Sequence, residues 1–234
     1  MLTPGIFSIL ALGFILGLKH ATDADHLIAV STIVSERKGF WSSSIVGILW
    51  GLGHSVSLLV VGLAVVAFNI RIPDNIAVWM ELAVAAMLVV LGGNVLWRLR
   101  RGATLHAHEH RHNDKRHLHL HIHAPGKETV HDHVPPVGKK PFFVGMVHGM
   151  AGSAALMLVV LATISSRPLA LLYIAIFGAG SVGGMFIMSV FLGLPFAFTS
   201  RHERLNTMIR LSAGMLSVCF GLLYAWEIGS KVSW

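Results

Sequence analysis

Long apolar stretches alternate with short polar ones along this chain. Six stand out, at about 5–34, 41–68, 76–97, 141–165, 168–198 and 207–227. Each reaches the ~20 residues needed to cross the ~30 Å hydrocarbon layer of a bilayer. Backbone polar groups in lipid must find partners within their own segment, so each stretch reads as a helix. The first and fifth run near 30 residues, which leaves room for a tilt or a break. The pattern predicts an all-α integral membrane protein with about six transmembrane helices.

The two halves match at an offset of 128 residues. Gly17-Leu-Lys-His20 falls on Gly145-Met-Val-His148. Met80, Ala85, Met87, Leu88, Val90 and Gly93 fall on Met208, Ala213, Met215, Leu216, Val218 and Gly221. Gly51-Leu-Gly53 falls on Gly178-Ala-Gly180 with a slip of one. Three crossings is an odd number, so a second copy inserts upside down. Two inverted three-helix repeats are expected, with a site near the midplane between them. The organisation expected is a first repeat over 1–99, a polar, histidine-dense loop over 100–140, and a second repeat over 141–234. The loop shows no apolar period, and irregular structure is expected there.

Composition agrees with this class. Apolar residues make up 54% of the chain and charged residues 12%, about half the charge of soluble domains, and the mean hydropathy is +0.70. The pI of about 10.1 invites a nucleic-acid reading, but the basic residues lie mostly between apolar segments, where they set topology. Arg37 and Lys38, then nine Lys/Arg from Arg98 to Lys140, then Arg201, Arg204 and Arg210 share one side. Arg71, Arg167 and Lys231 hold the other. By the positive-inside rule the long loop is cytoplasmic and both termini lie outside, in a bacterial cytoplasmic (inner) membrane. No basic residue precedes the first apolar run, so a cleaved signal peptide is not expected. The lone Cys219 excludes an intrachain disulfide and a thiol-rich zinc site.

The chemistry concentrates in Lys19-His20-Ala-Thr22-Asp23-Ala-Asp25-His26, inside an otherwise apolar helix. Each charge at membrane depth costs about 2.5–3.5 kcal/mol or more, so such groups serve a function or satisfy one another. The plain alternative is a self-contained salt bridge such as Lys19 with Asp23. Imidazole with carboxylate suits a borderline divalent ion such as nickel, cobalt, zinc or iron. On a straight helix His20, Asp23 and His26 share a stripe that climbs about 9 Å at 1.5 Å per residue. Both histidines cannot then hold one ion at ~2.1 Å. Either the helix breaks near residues 21–24, or two stations are passed in sequence. Gly51-Leu-Gly53-His54-Ser55 places another imidazole where glycines let a neighbouring backbone approach. His148 holds the repeat-equivalent place of His20, with uncharged neighbours, as a weaker ligand or gate. Glu81 and Glu227 sit near helix ends and read as interfacial.

His20-Ala-Thr-Asp-Ala-Asp25-His26 resembles the HX4DH signature of the nickel/cobalt transporter (NiCoT/NicO) superfamily, in which a basic residue often precedes the first histidine, as Lys19 does here. Gly53-His54-Ser55 resembles that family's second motif, in the same order and spacing. The resemblance implies that His20, Asp23, Asp25, His26 and His54 belong to the metal path. It is close over roughly the first 60 residues and looser beyond. The larger permeases of the family have eight helices and carry the signature in the second. Their FDTATE motif has no counterpart here, and GMxxxD survives only as Gly184-Met185-Phe-Ile-Met-Ser189. The chain is thus closer to the short six-helix, urease-accessory-like members.

Ten histidines lie in the loop: His106, His108, His110, His112, His117, His119, His121, His123, His131 and His133. Their alternation is no zinc-finger spacing and reads as a multi-site metal binder of low selectivity, weakened below about pH 6 by protonation. The expected substrate is Ni2+ or Co2+, with no resident cofactor. Expected partners are the lipid bilayer and cytoplasmic nickel chaperones or urease and hydrogenase maturation proteins. No GxxxxGK[ST] stretch is present, and none is required for uptake, because a dication moving inward across 100 mV gains about 4.6 kcal/mol. Uptake is therefore preferred over efflux. A metalloenzyme is disfavoured by the absence of HExxH and by the four intramembrane histidines, too few for a diiron set. Two core carboxylates disfavour an anion exporter.

Overall fold

The computed structural model describes residues 4–37, 40–68, 73–101, 105–112, 115–122, 138–151, 164 and 166–231. Its helices are α1 (Pro4–His20), α2 (Ala24–Val34), α3 (Phe40–Phe68), α4 (Asp74–Arg100), α5 (Lys140–Met150), α6 (Arg167–Phe198) and α7 (Glu203–Lys231). Among the described residues α3, α4, α6 and α7 are each long and apolar enough to cross a membrane. The α1–α2 pair makes a fifth candidate, bent by 55° at its break. The remainder of the stretch expected at 141–165, beyond α5, lies largely outside the described residues. The bilayer reading is supported by exposed aromatics near helix ends: Trp41 and Phe68 on α3, Trp79 and Trp97 on α4, Phe198 on α6 and Trp226 on α7. Rings of this kind favour the headgroup level on both sides of a membrane.

The histidine-dense segment departs from the irregular loop expected of it. Leu105–His112 (β1) pairs antiparallel with Lys115–Ile122 (β2), with His106 opposite His121, His108 opposite His119 and His110 opposite His117. The signal was a period of two: histidines alternate with Ala, Leu and Ile, and a period-two pattern is the pattern of a strand. His123, His131 and His133 lie outside the described residues.

Helix starts follow local chemistry. Pro73 caps α4 and Asp74 places a carboxylate in its first turn; α5 and α6 each carry a proline at their first positions, where the missing N–H costs nothing. The helices then pack by small residues rather than by hydrophobic drive, which lipid removes. α3 packs on α6 and α5, α1 packs on α6, and α4 pairs with α7. Buried Trp50, Leu88, Val30 and Met185 form one core cluster, and Leu58, Tyr173, Ile174 and Phe177 another. Within the α4–α7 pair the Ser217 hydroxyl donates to the Leu88 carbonyl at 2.8 Å. Interhelical hydrogen bonds in membranes average about 0.6 kcal/mol, so Ser217→Ala should lower stability by about that amount, read as a small drop in midpoint on denaturation in detergent.

Candidate metal centre

The centre forms where α1 stops. Ala21 to Asp23 leave the helix: the Thr22 N–H and hydroxyl both donate to the Lys19 carbonyl, at 2.9 and 2.6 Å, and the Asp23 N–H donates to the His20 carbonyl at 3.1 Å. Asp23 has extended backbone and begins α2 without a side-chain cap. Its carboxylate turns back instead and accepts from His20 Nδ1 at 2.7 Å. The break thus falls within the 21–24 stretch, the first of the two arrangements that helix geometry allowed. Beyond it, the Asp25 carboxylate accepts from the backbone N–H of His26 at 2.9 Å and from its ring Nδ1 at 3.1 Å.

Close approach of α3 and α5 supplies the other two imidazoles. A Cβ on Gly53 would run into the Phe142 carbonyl, and one on Gly149 into the His54 backbone. With hydrogen in both places, His54 and His148 are brought beside the break. His20 Nε2 lies 3.2 Å from His54 Nε2, and His148 Nε2 donates to Asp25 at 3.0 Å. The ring centroids of His26 and His148 stand 4.1 Å apart, and those of His20 and His26 4.4 Å. All four rings are buried: His20 5%, His26 0%, His54 0% and His148 1% exposed.

Two ligand sets result. His20, His26 and His54 each offer an atom within 4.8 Å of the others, and so do Asp25, His26 and His148. Neighbouring ligands on a tetrahedral ion at ~2.1 Å stand about 3.4 Å apart, so modest contraction would close either set. The carboxylates prepare the rings. When Asp23 and Asp25 accept hydrogen bonds from Nδ1–H of His20 and His26, the Nε2 lone pairs are left for an ion, as in carboxylate–histidine–metal triads. His26 Nε2, His54 Nδ1 and His148 Nδ1 are buried without a hydrogen-bond partner. Unsatisfied buried polar atoms of this kind call for an explanation, and an ion is a suitable one.

The expected helix residues His20, Asp23, Asp25, His26, His54 and His148 all fall in this one cluster. The sequence reading missed three neighbours. Trp50 is fully buried, stacks on His26 at 6.2 Å and lies 5.6 Å from His148. It sits one turn before His54, and that spacing was the signal available. Val84 and Tyr224, from α4 and α7, join His20, Asp23, Asp25, His148 and Ala151 around a cavity of about 150 Å³. Nothing local in the sequence marks these two, because they reach the site from distant helices.

Membrane-length helices around a buried cluster of metal-ligating side chains define the class: a helical membrane protein with a candidate metal centre. Comparison with known proteins gives the family. The chain belongs to the NicO family, described as a high-affinity nickel-transport protein, whose pattern matches residues 6–194. It is also similar to the urease accessory protein UreH of Bacillus sp. (strain TB-90), at 37% identity over 224 residues, 96% of this chain and 93% of that protein. No solved structure matches. The chain is accordingly a membrane protein of metal transport, in a family of transporters.

Proposed function

We propose that the protein carries Ni2+ or Co2+ into the cell through the buried histidine–carboxylate cluster. The observation that carries this reading is the pair of ligand sets sharing His26. Asp25 and His148 of one set and His20 of the other border the cavity, while the shared His26 and His54 lie behind it, fully buried. An ion arriving through the cavity meets Asp23 and Asp25 first. It then passes from one set to the other by exchanging ligands around His26, never losing all of its protein donors. The imidazole and carboxylate donors suit a borderline dication, and neither set is thiolate-based.

The reading includes an inverted repeat, which the close approaches of glycines support. Close approaches recur at the sequence offset: Gly17 meets the Phe177 carbonyl as Gly145 meets that of Trp50, and Gly180 meets the Phe14 carbonyl as Gly53 meets that of Phe142. His20 and His148 are equivalent in this scheme, and the cluster lies between the halves, as midplane sites of secondary transporters do. Residues 1–99 and 141–234 are then the two copies, joined by the histidine-rich 100–140. With that loop in the cytoplasm, the cavity lies toward the outer ends of α4 and α7, which favours uptake. The loop receives metal on the far side, and its partners are nickel chaperones or urease maturation proteins.

Uptake of radioactive nickel into cells expressing the wild type and a version lacking residues 104–134 tests direction. Accumulation above empty cells, retained at half or more without the loop, is expected. Accumulation below empty cells would instead establish export, with the loop gathering cytoplasmic metal.

A further inference from the structure

The end of α2 remote from the metal centre carries a second charged cluster. The helix does not stop abruptly at Val34. Ser35, Glu36 and Arg37 continue it in tight turns, with N–H bonds to Ser31, Ile33 and Val34 carbonyls at 2.9, 3.4 and 2.8 Å. Asp25 and Glu36 therefore sit at opposite ends of one short rod, about 16 Å apart at 1.5 Å per residue.

Glu36 is mostly buried, with 18% of its side chain exposed, and its Oε1 lies 3.4 Å from Arg98 Nη1 on α4. Arg210, on α7, is 4% exposed, and its Nε has no hydrogen-bond partner. The charged groups near enough to act on Arg210 are Glu36 and Arg98. The same two act on half-buried Arg37. Arg98 pairs with Glu36 between α4 and α2, and Arg37 and buried Arg210 lie within electrostatic reach of the same carboxylate. Guanidinium groups repel one another and any approaching dication, and Glu36 is the carboxylate that offsets them. A buried cation left without its partner is strongly unfavourable.

The placement matters for transport. The cavity beside the metal centre is walled by Val84 of α4 and Tyr224 of α7. Arg98 and Arg210 lie on these same two helices, about 21 Å further along each. The α4–α7 pair is therefore tied to the metal-bearing half-helix at one end and parted from it by the cavity at the other. At the tied end α2 lies close to α7, with the Thr32 hydroxyl 3.5 Å from the Ala213 carbonyl.

We propose that Glu36 is a positioning residue for transport: through its ion pair with Arg98 it holds α2 against the α4–α7 pair and keeps the basic end of the path shut to the ion. This rests on the transport reading above and adds to it a closure point and the residue that controls it. Release of Glu36 from Arg98 lets α2 swing from the pair and opens the seam between them.

The test uses the full chain in lipid nanodiscs, with Cys219→Ser and a single reporter, Ala213→Cys, at the α2–α7 seam. Labelling by a membrane-impermeant maleimide is expected to rise about 5-fold or more in Glu36→Gln, as the seam's open population grows. The charge-swapped pair Glu36→Arg with Arg98→Glu should return it toward the parent rate. Nickel affinity, by calorimetry, should stay within about 2-fold in Glu36→Gln while flux into proteoliposomes changes about 5-fold or more. Unchanged labelling in Glu36→Gln would overturn the proposal. So would affinity and flux falling together without rescue by the swap, since that marks a merely structural residue. If the parent protein binds no nickel, the metal reading fails separately, and the labelling still decides whether Glu36 closes the seam.

Discussion

His26→Ala is expected to abolish nickel accumulation, with at least a 100-fold loss in affinity at the buried site. His26 belongs to both ligand sets, so its loss leaves two donors in each, and neither set can be completed by its neighbour. Removal of groups that merely orient a metal ligand typically costs 10–100-fold, and loss of the shared ligand should exceed that. The side chain is fully buried against Trp50 and His148, so alanine also opens a cavity. His26→Asn restores part of the volume and separates the effects. Nickel binding lost in both variants, with unchanged elution on size-exclusion chromatography, would place the defect in ligation. Wild-type accumulation in His26→Ala would remove the cluster from the transport path.

Gly53→Val is expected to cost about 1–3 kcal/mol of stability by overpacking and to lower transport about 100-fold. A Cβ at this position meets the Phe142 carbonyl, which belongs to the backbone of α5 and cannot rotate away. Valine must push α5 from α3, and the displacement falls on both histidines those helices bring together. Misplacement of a functional group by about 1 Å can cost this much in rate. Thermal denaturation in detergent and nickel uptake measure the two effects. The half-buried Gly93, where a Cβ meets nothing within 4 Å, supplies the control: Gly93→Ala should change neither. Equal behaviour of the two variants would show that the α3–α5 approach does not set the site.

The same residues explain what could be read before the fold was known. Charged groups in a 30-residue apolar stretch have few reasons to be there, so His20, Asp23, Asp25 and His26 declared themselves. The ~9 Å climb between the histidines on an intact helix called for either a break or two stations, and the Thr22 and Asp23 hydrogen bonds account for the break. His148 was reachable through the internal repeat. What stayed hidden depends on contact between distant segments. Trp50 and Tyr224 look like ordinary lipid or core residues until their neighbours are known. Arg98 and Arg210 read as orientation signals, yet Arg210 is buried and Arg98 pairs with Glu36. The hairpin at 105–122 escaped because its period of two was carried by histidine rather than by apolar residues.

The break in the first membrane segment has an electrostatic consequence. His20 lies in the last turn of α1 and His148 in the last turn of α5, so two helices end their backbones at the cluster. The unpaired carbonyls of a helix C-terminus carry roughly half a negative charge, which favours a cation. Asp25 lies instead in the first turn of α2, at its half-positive N-terminal end. On the proposed path, peptide dipoles therefore add two negative ends to the carboxylates that face the dication. An anion at the same place would face all of them, so the interrupted backbone favours a cation there.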